Sequence, residues 1–351
     1  MIGSMIMQEG WKKFADNVKE GTMPVICFGA GTIPWLMEPL FTQLSIWPRI
    51  LYFLDNDEKK AGTLIGEKRK IPVISVEDFR TKKVKEFIML ITCENFIPVL
   101  KQLQKVEEWR DIHCYVYIRI NYELLKQAKS TLKRIPGRLP QIPRTIHYCW
   151  FGKGEKAELH RKCIQSWKDQ CPDYTIIEWN EDNYDIHQNR YILEAYANRK
   201  WAYVSDYARL DILYQHGGIY LDTDVELLDR LDMLLGEKGF IAYGQWPAVN
   251  SGAGMGCVKG LPIVKEMRDQ PRKYISFLNP NGSLNMVQNG FYESRALRNY
   301  GFLQDFTMQY IEGLLILAPE IMAAESVLGK ELLVTENTLA IHHCKGSWKT
   351  S

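Results

Sequence analysis

Over the first third of the chain, short apolar runs alternate with stretches of helical spacing. Val25–Phe28, Ile50–Leu54, Ile71–Ile74, Phe87–Ile91 and Cys114–Ile118 read as strands, and Thr32–Leu44 and Phe96–Glu108 as helices. Strand, helix, strand at this spacing predicts a parallel sheet with crossover helices. Further on, Ile142–Gly152 reads as a strand running into a glycine turn, Cys163–Lys168 as a helix and Tyr174–Trp179 as a second strand. Lys200–Gln215 carries apolar residues four apart at Val204, Ala208 and Ile212, a helix that Gly217 and Gly218 stop. The short β-prone run Ile219–Leu221 follows and ends in acidic residues.

The two patterns divide the chain into a first domain over 1–125, a linker over 126–140 and a second domain over 141–351. The stretch from Lys126 to Pro143 holds Pro136, Gly137, Pro140 and Pro143 among basic residues. It reads as a solvated linker, with contact to an anionic membrane surface as the other reading. The 351 residues suffice for two cores. The net charge of +2 gives no sign of a nucleic-acid partner. The eight cysteines form no C-x-x-C pair and fit neither a zinc motif nor a dense disulfide framework. With no secretory core and no long apolar run, the expectation is a cytoplasmic protein, with peripheral attachment at the inner face of a membrane left open.

Gly29 and Gly31 follow the first strand where a dinucleotide-binding turn places its first two glycines, but Pro34 stands in place of the third. Asp55 ends the second strand, where an acidic residue would meet a ribose. The two readings are a nucleotide site and a turn that needs glycine for backbone reasons alone. The runs CFGAGT and LYFLDND resemble Rossmann-like modules joined to polysaccharide-biosynthesis enzymes, so the first domain is expected to be a smaller Rossmann-like sheet domain of uncertain role.

Chemistry concentrates in the second domain. In an extended chain, residues two apart face one side, so Asp222 and Asp224 are expected to share a site with Thr223 turned away. Paired carboxylates repel unless a positive group joins them, and Mg²⁺ or Mn²⁺ suits oxygen ligands and phosphates. A bare D-x-D is weak, since Asp55-Asn56-Asp57 is another, to which no metal is assigned. Context separates the two: Asp206 and Arg209, three apart on the upstream helix, share a face. An ordinary surface ion pair is the alternative for them. Trp150, at a strand's C-terminal end, is either a base-stacking residue or part of the core.

The ordered set IPRTIHYCWFG, VSDYARLDILYQHGGIYLDTDVELL and IHHCKGSW is similar to glycosyltransferase family 32. The resemblance spans residues from about 140 to the C-terminus. It implies an α/β, GT-A nucleotide-diphospho-sugar transferase fold and transfer with retention of configuration. It implies that Trp150 stacks on the donor base, and that Asp206 and Arg209 contact the donor sugar. Asp222 would lie near ribose and sugar, and Asp224 would bind the metal directly. In a closing segment of His342, His343, Ser347 and Trp348, a polar side chain completes the metal shell and a tryptophan meets the pyrophosphate. His343 is taken as the ligand, with His342 the alternative. The loop Asn250–Gly256 falls beside the sugar.

The expected activity is therefore that of a metal-dependent hexosyltransferase. It would use Mn²⁺ or Mg²⁺ and a nucleotide-sugar donor, a UDP-sugar in the first instance. The acceptor would be a saccharide or lipid-linked saccharide, in capsular or surface polysaccharide synthesis. Two rivals remain at this point: a noncatalytic nucleotide- or sugar-binding protein, and an NAD-dependent oxidoreductase acting through the first domain.

Overall fold

The computed structural model describes residues 11–109, 112–128, 130, 139–269, 275–324 and 334–345. The chain forms two compact units, 1–127 and 128–351.

The first unit runs α1 (Trp11–Glu20), β1 (Val25–Phe28), α2 (Ile33–Gln43), β2 (Ile50–Leu54), β3 (Leu64–Ile65), β4 (Ile71–Ile74), α3 (Val76–Thr81), β5 (Ile88–Ile91), α4 (Phe96–Leu103), β6 (His113–Val116) and α5 (Tyr117–Gln127). Its six strands lie in the order β3-β4-β2-β1-β5-β6, all parallel except the edge pair β3 and β4. β1 and β5 are buried along their whole length, as strands covered on both faces must be. Two expectations change here. The last strand stops at Val116 and Tyr117 opens a helix, and that helix carries Lys126 and Gln127, which the sequence had assigned to the linker.

The second unit begins with β7 (Thr145–Cys149), α6 (Glu158–Gln170), β8 (Thr175–Trp179), α7 (Arg190–Ala197), α8 (Trp201–His216), β9 (Gly218–Tyr220) and β10 (Val225–Leu227). It continues with β11 (Gly239–Ile241), β12 (Met255–Cys257), α9 (Pro262–Arg268), α10 (Asn289–Arg298), β13 (Gln309–Ile311), β14 (Leu314–Ile316), β15 (Met322–Ala324) and β16 (Ala340–His342). Seven strands form a mixed sheet in the order β13-β14-β11-β12-β9-β7-β8. β7 pairs in parallel with both β8 and β9, so their C-terminal ends share one edge of the sheet. A separate three-stranded sheet has the order β10-β16-β15. This is the α/β, GT-A-like arrangement expected for the second unit.

The chain thus leaves one sheet at the end of β9 and enters the other at β10. Asp222 and Asp224 occupy the crossing between them. The apolar residues on either side of that crossing, Ile219, Leu221 and Val225, are fully buried in a core that also holds Trp167 and Phe240. Burial on both sides fixes the crossing, and the polar residues between are left only partly exposed.

Candidate active site

The site is built from α8 upward. This helix is buried nearly all round, and Asp206, Arg209 and Asp211 are buried with it. Charged groups in such a place need partners. Asp211 has Arg268 at 2.8 Å. Arg209, only 3% exposed, lies 3.4 Å from Asp206 and 3.0 Å from Asp222. Its Nε also donates to the Ser205 carbonyl at 3.2 Å. The pair read from spacing is therefore no surface ion pair but the buried support of the acidic turn.

Gly217 ends α8 at φ +70° and Gly218 continues at φ +96°. A side chain at Gly218 would stand 2.8 Å from His147 Nε2. The close approach lets His147 Nε2 donate to the Gly217 carbonyl at 3.0 Å, while Trp179 Nε1 donates to His147 Nδ1 at 3.1 Å. Those two bonds fix the imidazole in one neutral tautomer. Burial, with His216 nearby, lowers its pKa to about 4. The lock ties β7, β8 and the end of α8 together just before β9 delivers the aspartates.

Asp222 and Asp224 do meet, but not by strand alternation. β9 ends at Tyr220, and the Val225 N–H donates to the Asp222 carbonyl at 3.0 Å. That bond closes a turn over Asp222–Val225, and the turn rather than an extended chain brings the two carboxylates together. Asp222 accepts from Arg209 and, at 3.1 Å, from the Tyr220 hydroxyl. Tyr220 also lies beneath the Arg209 guanidinium, 5.0 Å from ring centre to Cζ. Burial raises the Asp222 pKa and Arg209 works against that rise.

The third member comes from β16. His342 Nε2 is 3.3 Å from Asp224. Ligand atoms of Asp222, Asp224 and His342 lie within 4.8 Å of one another. Metal–oxygen bonds of about 2.1 Å put opposite ligands roughly 4.2 Å apart, so small adjustments let one ion meet all three. Burial acts to raise the Asp224 pKa, but His342 and the Lys345 N–H, 3.0 Å from Oδ2, hold it well below the usual carboxylate range. Burial opposes a charge on His342, yet with Cys344 and Asp224 beside it the His342 pKa is raised. The expected ligand His343 instead places Nε2 2.9 Å from Glu226, which Lys162 also holds at 2.9 Å. Adjacent residues at the end of a strand point to opposite sides, so only one of the two histidines can reach the aspartates. Ser347 and Trp348 lie outside the described residues.

Trp150 stands just past β7, at the same edge of the sheet. Its N–H donates to the Gly154 carbonyl at 2.6 Å, the Lys156 ammonium is 4.9 Å from the indole centre, and Lys156 pairs with Glu178 at 2.9 Å. Sequence reasoning missed Tyr220, although it stands two residues before Asp222 where a same-side partner belongs. It also missed Glu293, which is fully buried on α10. Glu293 accepts the Ser251 N–H at 3.1 Å and Asn289 Nδ2 at 3.0 Å, and so secures the 250–254 loop. That loop lies against the aspartates: the Asp222 N–H donates to the Gly252 carbonyl at 2.9 Å. A Cβ at Gly252 would stand 2.1 Å from Asp222 Oδ2. In the first unit, Asp55 is engaged within its own loops, taking the Ala30 N–H at 2.7 Å, the Asp57 N–H at 2.9 Å and Lys60 at 2.9 Å.

Residues 157–241 match the family model described as "Glycosyltransferase sugar-binding region containing DXD motif". Two curated relatives come from Schizosaccharomyces pombe. Inositol phosphoceramide mannosyltransferase 1 is 31% identical over 30% of this chain and 35% of its own length. Inositol phosphoceramide mannosyltransferase 3 is 31% identical over 37% of this chain and 38% of its own length. The chain thus spans little more than a third of the relatives it matches. Among solved structures, PaToxG Glycosyltransferase aligns with a TM-score of 0.37 at 19% identity, covering 51% of this chain and 72% of that one. The family model and the mannosyltransferase relatives support a glycosyltransferase family, and the Asp222–Asp224 pair falls inside the matched region.

Proposed function

We propose that the second unit is a metal-dependent hexosyltransferase that takes a sugar from a nucleotide-diphospho-sugar. The observation that carries this reading is the convergence of Asp222, Asp224 and His342 at the crossing between two sheets. Two carboxylates and one imidazole form a donor set suited to a borderline-hard divalent ion such as Mn²⁺. Once bound there, Mn²⁺ or Mg²⁺ supplies Lewis-acid stabilisation of the charge on a departing diphosphate.

The chain's own residues do the rest. Arg209 holds Asp222 in place and adds a fixed positive charge beside the leaving group. Asp206 meets the same guanidinium nitrogen and helps balance its charge. Trp150 offers an aromatic surface to the base. With both Asp206 and Asp222 engaged by Arg209, neither is a free carboxylate nucleophile. Burial pushes the nearby Cys149 thiol up to about 12, which makes it a poor one. This supports front-face attack by an acceptor hydroxyl, with retention of configuration.

The names of the two yeast relatives make mannose and an inositol-phosphoceramide-like lipid the first donor sugar and acceptor to try. UDP-hexoses with saccharide acceptors, as in surface polysaccharide synthesis, come next. The test is incubation with GDP-mannose and a panel of UDP-hexoses, with Mn²⁺ or with chelator, reading released nucleotide and glycosylated product by mass spectrometry. Metal-dependent turnover of one donor is expected. Absence of turnover and of donor hydrolysis across the panel contradicts the proposal.

A further inference from the structure

α6 runs alongside β10. Trp167 Nε1 donates to the Val225 carbonyl at 2.7 Å, and Ser166 Oγ accepts the Leu227 N–H at 2.9 Å. Lys162 reaches Glu226 at 2.9 Å. His160 lies seven residues before Trp167, two helical turns back on the same face. It therefore extends that packed face past the start of β10, toward the turn that carries Asp224. From there its ring meets Trp150 edge-on, with centres 5.0 Å apart. His160 thus touches the aromatic platform and lies within electrostatic reach of Asp224.

Its Nδ1 is enclosed and has no hydrogen-bond partner among the described residues, which leaves Nε2 as the ring's open nitrogen. An enclosed, unpartnered N–H is costly, so the proton belongs on Nε2. Burial lowers the His160 pKa, against the pull of Asp224, and so favours this neutral ring.

In a nucleoside diphosphate, the ribose and α-phosphate lie between the base and the terminal phosphate. Resting on the donor-site reading above, we infer that His160 donates from Nε2 to an oxygen of this ribose–α-phosphate stretch, making it a donor-binding residue. No acceptor within the protein competes for that proton among the described residues.

The experiment is calorimetric titration of the full chain with UDP and GDP in saturating Mn²⁺. The wild type is compared with His160→Gln, which keeps an N–H near the Nε2 position, and with His160→Phe, which keeps the ring against Trp150 without the donor. His160→Phe is expected to weaken binding roughly threefold to tenfold, and His160→Gln to bind within about twofold of wild type, with Mn²⁺ affinity unchanged throughout. Titrations with 2′-deoxy and 3′-deoxy diphosphates separate the two oxygen sources. A deoxy penalty that disappears in His160→Phe assigns the ribose, and an equal loss for every ligand assigns the α-phosphate. If wild type binds UDP or GDP and His160→Phe binds equally well, this inference fails while the donor site stands. If wild type binds neither, both fail together.

Discussion

The guanidinium of Arg209 bridges two carboxylates, lying 3.0 Å from Asp222 and 3.4 Å from Asp206, and it does so almost completely buried. Removing it leaves two acids close together in a poorly solvated place. Arg209→Met should therefore cost on the order of 3 kcal/mol or more, read as a lowered urea midpoint by tryptophan fluorescence. Adding Asp206→Asn to Arg209→Met should recover part of that stability and none of the proposed transfer activity. Wild-type stability in the single variant would mean the bridge is incidental.

Gly252 is where backbone meets the acidic turn. Gly252→Ala forces Asp222 or the loop to move, because the new Cβ would stand 2.1 Å from Asp222 Oδ2. Overpacking of this kind costs about 1–3 kcal/mol. The expected result is a modest fall in thermal midpoint, with a loss of cation affinity larger than the stability change accounts for. Calorimetric Mn²⁺ titration beside a melting curve measures both.

The two adjacent histidines should behave differently. His342→Ala should weaken Mn²⁺ binding at least about tenfold. His343→Ala removes only a contact to Glu226, which keeps Lys162, and should leave the Mn²⁺ dissociation constant within about twofold, a partly exposed pair of this kind being worth under roughly 1 kcal/mol. The reverse order of effects would restore the sequence-based choice of His343.

His147 gives the fold a dependence on pH. Its folded pKa of about 4 lies below the usual value near 6.5. Between these values the unfolded chain binds the extra proton, so stability falls as pH drops from about 6.5 to about 4 and is fully present above that window. The effect reaches about 3 kcal/mol at most. Urea midpoints measured across this range should show the decline. His147→Gln, less stable at pH 7, should show a shallower one. An equal slope in both proteins would assign the acid sensitivity elsewhere.

Much of this site was legible because its residues are close in sequence. The apolar spacing in α8, the glycine stop and the two aspartates all lie within Trp201–Asp224, and the family match covers that stretch. What the sequence concealed is long-range or conformational. Asp222 and Asp224 suggested an extended strand, but buried Leu221 and Val225 belong to the core and the chain must turn between them to change sheets. The choice of His342 over His343 depends on which strand pairs with β10, 117 residues away for the His343–Glu226 contact. The buried clamp from Glu293 to Ser251 joins residues 42 apart and leaves no periodic trace. In the first unit the strand pattern marked most of the sheet, yet the edge strand Leu64–Ile65 is too short for alternation to reveal.

The most direct measurement is titration of UDP and GDP into wild type and Asp224→Asn, each with Mn²⁺ and with chelator. Wild type is expected to bind at least one of the two tightly only when Mn²⁺ is present. Asp224→Asn, folded by circular dichroism, is expected to bind that nucleotide weakly and equally in both conditions. Tight, metal-independent binding by wild type, or an unchanged metal response in Asp224→Asn, would contradict a cation held at this turn.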